Sequence, residues 1–203
     1  LTSNVTRAPV TGQRLIFVSN IEAVPAGALN GSDTANIYVV PAHSYHKKSD
    51  ALWIIDGISS DDYLRVIHDV NQTNALTSIA LMWPEDWNDV SFHPAFGEQM
   101  LLNATYISRA LTELSIAIPL WFMVKRSGAL TREDFSTPFS SMLSGFVRSL
   151  FLENPTIQGG VLEYDESSAD QIFNEIGTDT SEIHIQLIQH KKYVARLEPV
   201  DSI

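Results

Sequence analysis

Six short runs of unbroken apolarity constrain this chain more than any other feature. They are RLIFVS at 14–19, NIYVV at 36–40, ALWII at 51–55, SIALMW at 78–83, PLWFMV at 119–124 and GGVLEY at 159–164. Each has a strand's length and is rich in β-branched or aromatic residues. A strand with one face in water alternates apolar and polar residues, whereas a strand covered on both faces need not. The runs therefore predict a parallel sheet buried on both sides.

The later runs are separated by helical periods. SSDDYLRVIHDVNQ opens on serine cap candidates and places Asp61 and Asp62 in the first turn, where the helix dipole favours acids. Its Tyr63, Ile67 and Val70 share a face. After Pro94, the residues Met100, Ala104, Ile107, Leu111 and Leu114 step by four, three, four and three. Beyond Pro138, a broad stripe runs through Phe139, Met142, Leu143, Phe146, Val147, Leu150 and Phe151. SSADQIFNEIG predicts a last helix with a serine cap and a closing Gly177. EIHIQL and YVARL then flank a polar IQHKK, which predicts an antiparallel pair at the C-terminal end. The order β-β-β-α-β-α-β-α-β-α-β-β predicts an α/β fold: one Rossmann-like, mostly parallel sheet with helices on both faces.

Composition narrows the function. The net charge of -11 argues against nucleic acid and against an anionic membrane surface. The absence of cysteine removes disulfides, thiolate catalysis and zinc–thiolate sites. No run approaches 18 apolar residues, and LTSNVTRAPVTG lacks a signal pattern, so the expected setting is the cytosol. The sequons at Asn4, Asn30, Asn71 and Asn103 then read as chance.

The chemistry expected of such a sheet is missing. A dinucleotide site needs its first strand to enter a glycine-rich turn and a helix. Here NIEAVPAGALNGSD follows, with no G-x-G-x-x-G, with Pro25 where a helix should run, and with Gly27 and Gly31 late. The pair Gly159-Gly160 lies at a strand's N-terminal end and reads as a tight turn, because ligands bind at the carboxyl ends. None of Tyr38, Tyr45, Tyr63, Tyr106, Tyr164 and Tyr193 has lysine four residues on, and G-x-S-x-G is absent around Gly128 and Gly145. His43 and His46, with Asp50 nearby, form a weak metal candidate opposed by Lys47 and Lys48, and a surface loop is expected there. Glu85, Asp86 and Asp89 cluster after a strand end around Trp83 and Trp87, where acid/base chemistry competes with a solvated loop. Arg126 is a candidate for an anion or a partner, or an ordinary surface arginine.

Several segments together carry a resemblance. They are Leu120 to Ala129, then Gly145, Arg148, Glu153, Pro155, Gly159 and Gly160, then Tyr193 to Leu197, with Met82-Trp83-Pro84 earlier. In order and spacing they resemble the ketoreductase region of modular type I polyketide synthases, and within it the N-terminal structural subdomain. The resemblance spans residues 14–199, leaving 1–13 and 200–203 as linkers. The chain departs from the pattern at Ser144, Val147 and Asn154, and it lacks an aromatic before the paired glycines.

The resemblance implies a truncated, short-chain dehydrogenase-like fold without catalytic, cofactor-binding or metal residues of its own. It implies a catalytic subdomain as partner, which holds NADPH and reduces a β-ketoacyl group on acyl carrier protein. This chain would brace that subdomain and meet neighbouring synthase domains, touching the carrier only indirectly. Two other readings stay open. One is a pseudo-ketoreductase scaffold packed against a methyltransferase, dehydratase or enoylreductase. The other is an unrelated small α/β enzyme using the acidic loop at 85–89.

Overall fold

The computed structural model describes residues 12–24, 35–73, 75–82, 94–125, 138–169, 171–176 and 182–194. Nine strands form one sheet: β1 (Gln13–Phe17), β2 (Asn36–Ala42), β3 (His46–Ser49), β4 (Leu52–Asp56), β5 (Leu76–Met82), β6 (Leu120–Lys125), β7 (Gly159–Tyr164), β8 (His184–Ile188) and β9 (Lys191–Val194). The helices are α1 (Ser60–Thr73), α2 (Pro94–Glu113), α3 (Pro138–Glu153) and the short α4 (Ile172–Glu175). The spatial order is β3-β4-β2-β1-β5-β6-β7-β8-β9. The seven strands from β4 to β8 in this row are parallel. An antiparallel strand closes each edge. All six apolar runs form strands, and the expected C-terminal hairpin is present.

The two faces are covered unequally. Leu15, Phe17, Ile37, Val39, Ile79 and Phe122 point toward α1, α2 and α3, all of which pack on the same side. Tyr63, Ile67 and Val70 of α1, Met100, Ala104, Ile107 and Leu111 of α2, and Leu143 and Val147 of α3 are buried there, as the periods predict. Ile16, Tyr38, Trp121 and Leu162 are just as buried on the opposite face. Among the described residues, that face is met by Val24, Ala51 and Ala169 and by the short α4 with Ile172, Phe173 and the adjoining Ile176.

The connection from β2 to β4 explains part of the difference. Parallel strands are usually joined by a crossover helix. Residues 43–51 contain none; the chain instead runs back as β3 on the outer side of β4. Tyr45 fastens this detour to α1, donating its hydroxyl to Asp69 at 2.8 Å and lying 4.0 Å beneath the Arg65 guanidinium. β3 is a correction to the surface loop expected around His46. It forms through backbone pairing with β4, which the exposed sequence HKKS does not announce.

Lysine marks both open edges. Four of the chain's five lysines, Lys47, Lys48, Lys191 and Lys192, sit on β3 and β9. Charged edge strands resist pairing with a second sheet.

The expected last helix is a second correction. Residues 166–168 form one 3₁₀ turn capped by Asp165, whose side chain accepts from the Ser168 amide, and α4 follows as a single turn.

The paired glycines are a third correction: they are the first two residues of β7 and not the tight turn expected of them, and close backbone approach explains them. Gly159 has φ +124, and a Cβ there would lie 2.0 Å from the Leu120 carbonyl oxygen of β6. A Cβ on Gly160 would lie 2.4 Å from the Ile183 carbonyl oxygen ahead of β8. Both obstacles are backbone, so relief requires the strands to separate. Gly159→Ala and Gly160→Ala should each lower the unfolding free energy by about 2–4 kcal/mol in urea titrations. A loss under about 0.5 kcal/mol would mean that neither approach constrains the sheet.

Candidate functional site at the carboxyl edge of the sheet

Chain order reverses between β1 and β5, and a crevice opens there at the carboxyl ends of the strands. In open α/β sheets this is where ligands bind. Phe17 and Ser19 come from the end of β1, Leu81 and Met82 from β5, Ile55 from β4 and Tyr63 from α1. Gln99 and Asn103 enter from α2. The volume is about 180 Å³. Burial raises the Tyr63 hydroxyl above the usual phenol range, assisted by Tyr106 and Asp56, so it stays protonated. Phe17 stacks on its ring at 5.4 Å.

Among the described residues, the turn leaving β1 has no glycine-rich phosphate cradle. Ser19-Asn20-Ile21-Glu22-Ala23 contains no glycine. The Asn20 side chain accepts from the Ala23 amide at 3.0 Å and closes a 3₁₀ turn. Glu22 places a carboxylate where a pyrophosphate would need backbone N–H groups and positive charge.

A second group lies on the helix-covered face, and the sequence did not point to it. Glu163 of β7 is fully buried, and its Oε1 lies 2.6 Å from Nε2 of His184 on the adjacent β8. His184 Nδ1 lies 3.3 Å from Ser144 Oγ on α3, and Gln186 Nε2 donates to Glu163 Oε2 at 3.4 Å. Serine, histidine and carboxylate in a row have the composition of an acyl-transfer triad. The placement is wrong for one, since Ser144 is buried within α3 and not raised on an exposed turn. The network ties α3, β7 and β8 by satisfying a buried acid. Ser144, Glu163 and His184 are 19 to 40 positions apart, so only the β7–β8 pairing and the packing of α3 on it unite them.

Asp165, at the carboxyl end of β7, holds the β8–β9 turn. Burial alone would raise its carboxyl. Hydrogen bonds from the Gln189 amide and from Ser168 and Ser167 outweigh burial and hold it below the usual carboxylate range. Gln189 and His190 both have positive φ, 50 and 62. Their amides donate to Asp165 Oδ2 at 2.8 Å and Ser168 Oγ at 3.0 Å, which offsets the conformational cost.

The other candidates do not assemble into a site. His43 and His46 are exposed, and Asp50 is engaged by Lys47 at 2.7 Å. Among the described residues, no group of three or more His, Asp or Glu could hold a metal. Arg148 is exposed on α3. Gly27, Gly31, Trp83, Glu85, Asp86, Trp87, Asp89 and Arg126 lie outside the described residues. Among the described residues, no helix is long and apolar enough to cross a membrane.

No family model and no curated protein matches this sequence. Solved structures do. The chain superposes with TM-score 0.74 and 14% identity on an adenylation, ketoreductase and pseudo-Asub multidomain structure of a keto acid-selecting NRPS module, covering 98% of itself and 18% of that chain. An N-terminal ketoreductase from the macrolactin assembly line gives 0.63 and 13%, over 97% of this chain and 43% of the other. A-type ketoreductases from a modular polyketide synthase give 0.62 and 16%, over 96% and 40%. The chain has the fold of these ketoreductases. It spans less than half the length of each of those chains.

Two outcomes follow from the site geometry. Glu163→Ala should cost about 2–4 kcal/mol of stability in urea, because it strips the partner from His184. Glu163→Gln, which keeps a hydrogen-bonding group, should cost less. The Asp165 contribution is complete above the ordinary carboxyl value of 3.8 and is lost as pH falls through its lower folded value. Thermal melts of Asp165→Asn should therefore lose less stability between neutral and strongly acidic pH than those of the parent chain.

Proposed function

We propose that this chain is the structural, non-catalytic subdomain of a polyketide synthase ketoreductase, working in the cytosol. It braces a catalytic subdomain that reduces β-ketoacyl groups on acyl carrier protein with NADPH. The observation that carries the reading is the turn after β1. The sheet keeps the strand order and switch-point crevice of a dinucleotide-binding fold, yet this turn offers Asn20 and Glu22 in place of a glycine cradle. The short coverage of the ketoreductase structures supports it. So does the outward side of α3, where Gly145 has open space above it and Leu152 is 83% exposed, a surface suited to a packed neighbour.

A pseudo-ketoreductase scaffold shares every one of these features. The segment following residue 203 in a parent chain separates the two. A TGG-x-GGLG run with Tyr-x-x-x-Asn or Tyr-x-x-x-Lys favours an active reductase.

By itself the chain should not reduce a β-ketoacyl thioester with NADPH, and absorbance at 340 nm should fall no faster than in buffer. Turnover abolished by alanine at Glu85, Asp86 and Asp89 would instead establish an independent enzyme.

A further inference from the structure

The crevice at the β1–β5 switch point has a chemistry of its own, independent of the reading above. Its walls are apolar, from Phe17, Ile55, Tyr63, Leu81 and Met82, and none of its described lining residues is charged. Its volume of about 180 Å³ is that of a one-ring molecule; an apolar cavity of ~150 Å³ accommodates benzene.

One wall carries a matched pair of polar groups. Gln99 and Asn103 are one helical turn apart on α2 and face the same crevice. Gln99 Nε2 donates to Asn103 Oδ1 at 2.8 Å and to the Gly57 carbonyl at 3.4 Å. Those bonds use the donor of one carboxamide and the acceptor of the other. Gln99 Oε1 is left as an acceptor and Asn103 Nδ2 as a donor, neither with a protein partner among the described residues. An acceptor beside a donor complements an amide, which presents N–H and C=O side by side. A carboxylate would face Gln99 Oε1 with no cation to balance it, and a dinucleotide is too large and too charged.

We propose that this crevice binds a small uncharged amide carried on an apolar body of about one ring. The amide pairs with Gln99 and Asn103, and the apolar body fills the space between the ends of β1 and β5.

Benzamide is the test probe, titrated into the full ¹⁵N-labelled chain while the side-chain amide resonances of Gln99 and Asn103 are followed. Saturable shifts with Kd of about 1 mM or tighter are expected. Benzoate should bind at least about tenfold more weakly, and Asn103→Leu should weaken benzamide by about tenfold. Absence of saturation by ~20 mM benzamide in a folded chain overturns the proposal. So does benzoate binding equal to benzamide, a comparison made on the unsubstituted chain and therefore independent of how Asn103→Leu folds.

Discussion

A parallel sheet has to be covered on two faces, and the rest of this structure follows from how that is met. Backbone groups in the central strands are paired within the sheet, so both sets of side chains must leave water. Ile16 and Leu15, neighbours on β1, are equally buried on opposite sides. Three long helices meet the requirement on one side. The β2–β4 connection spends its length on an edge strand where a crossover helix would normally cover the other side. Among the described residues, β1 runs into a short turn capped by Asn20 and containing no glycine.

Much of the fold was legible in the sequence because it rests on burial. Continuous runs such as LWFMV are strands because nothing polar interrupts two covered faces, and GGVLEY is one although Glu163 is buried in it. Met100, Ala104, Ile107 and Leu111 mark a helix because the 3.6-residue period keeps them on one side. The position of Gly159-Gly160 argued for a tight turn, whereas the structure makes them the first two residues of β7, where the nearness of the Leu120 and Ile183 carbonyls leaves no room for a side chain.

What escaped the sequence depends on partners distant along the chain. HKKS becomes β3 through hydrogen bonds to β4, with no apolar signal. The stretch after β7 breaks into a 3₁₀ turn and one helical turn because Asp165 caps the first and anchors the β8–β9 turn. Glu163 and His184 read singly as an acid in a strand and a histidine in another; only the β7–β8 register joins them. The crevice was not anticipated, since its composition depends on four strand ends and two helices meeting.

The central claim is that the strand order of a dinucleotide-binding fold has been kept without a dinucleotide site. Fluorescence titration of NADPH with the purified chain addresses it most directly. The account predicts no saturable change in nicotinamide emission across the micromolar range. Saturable binding at low micromolar NADPH would contradict it.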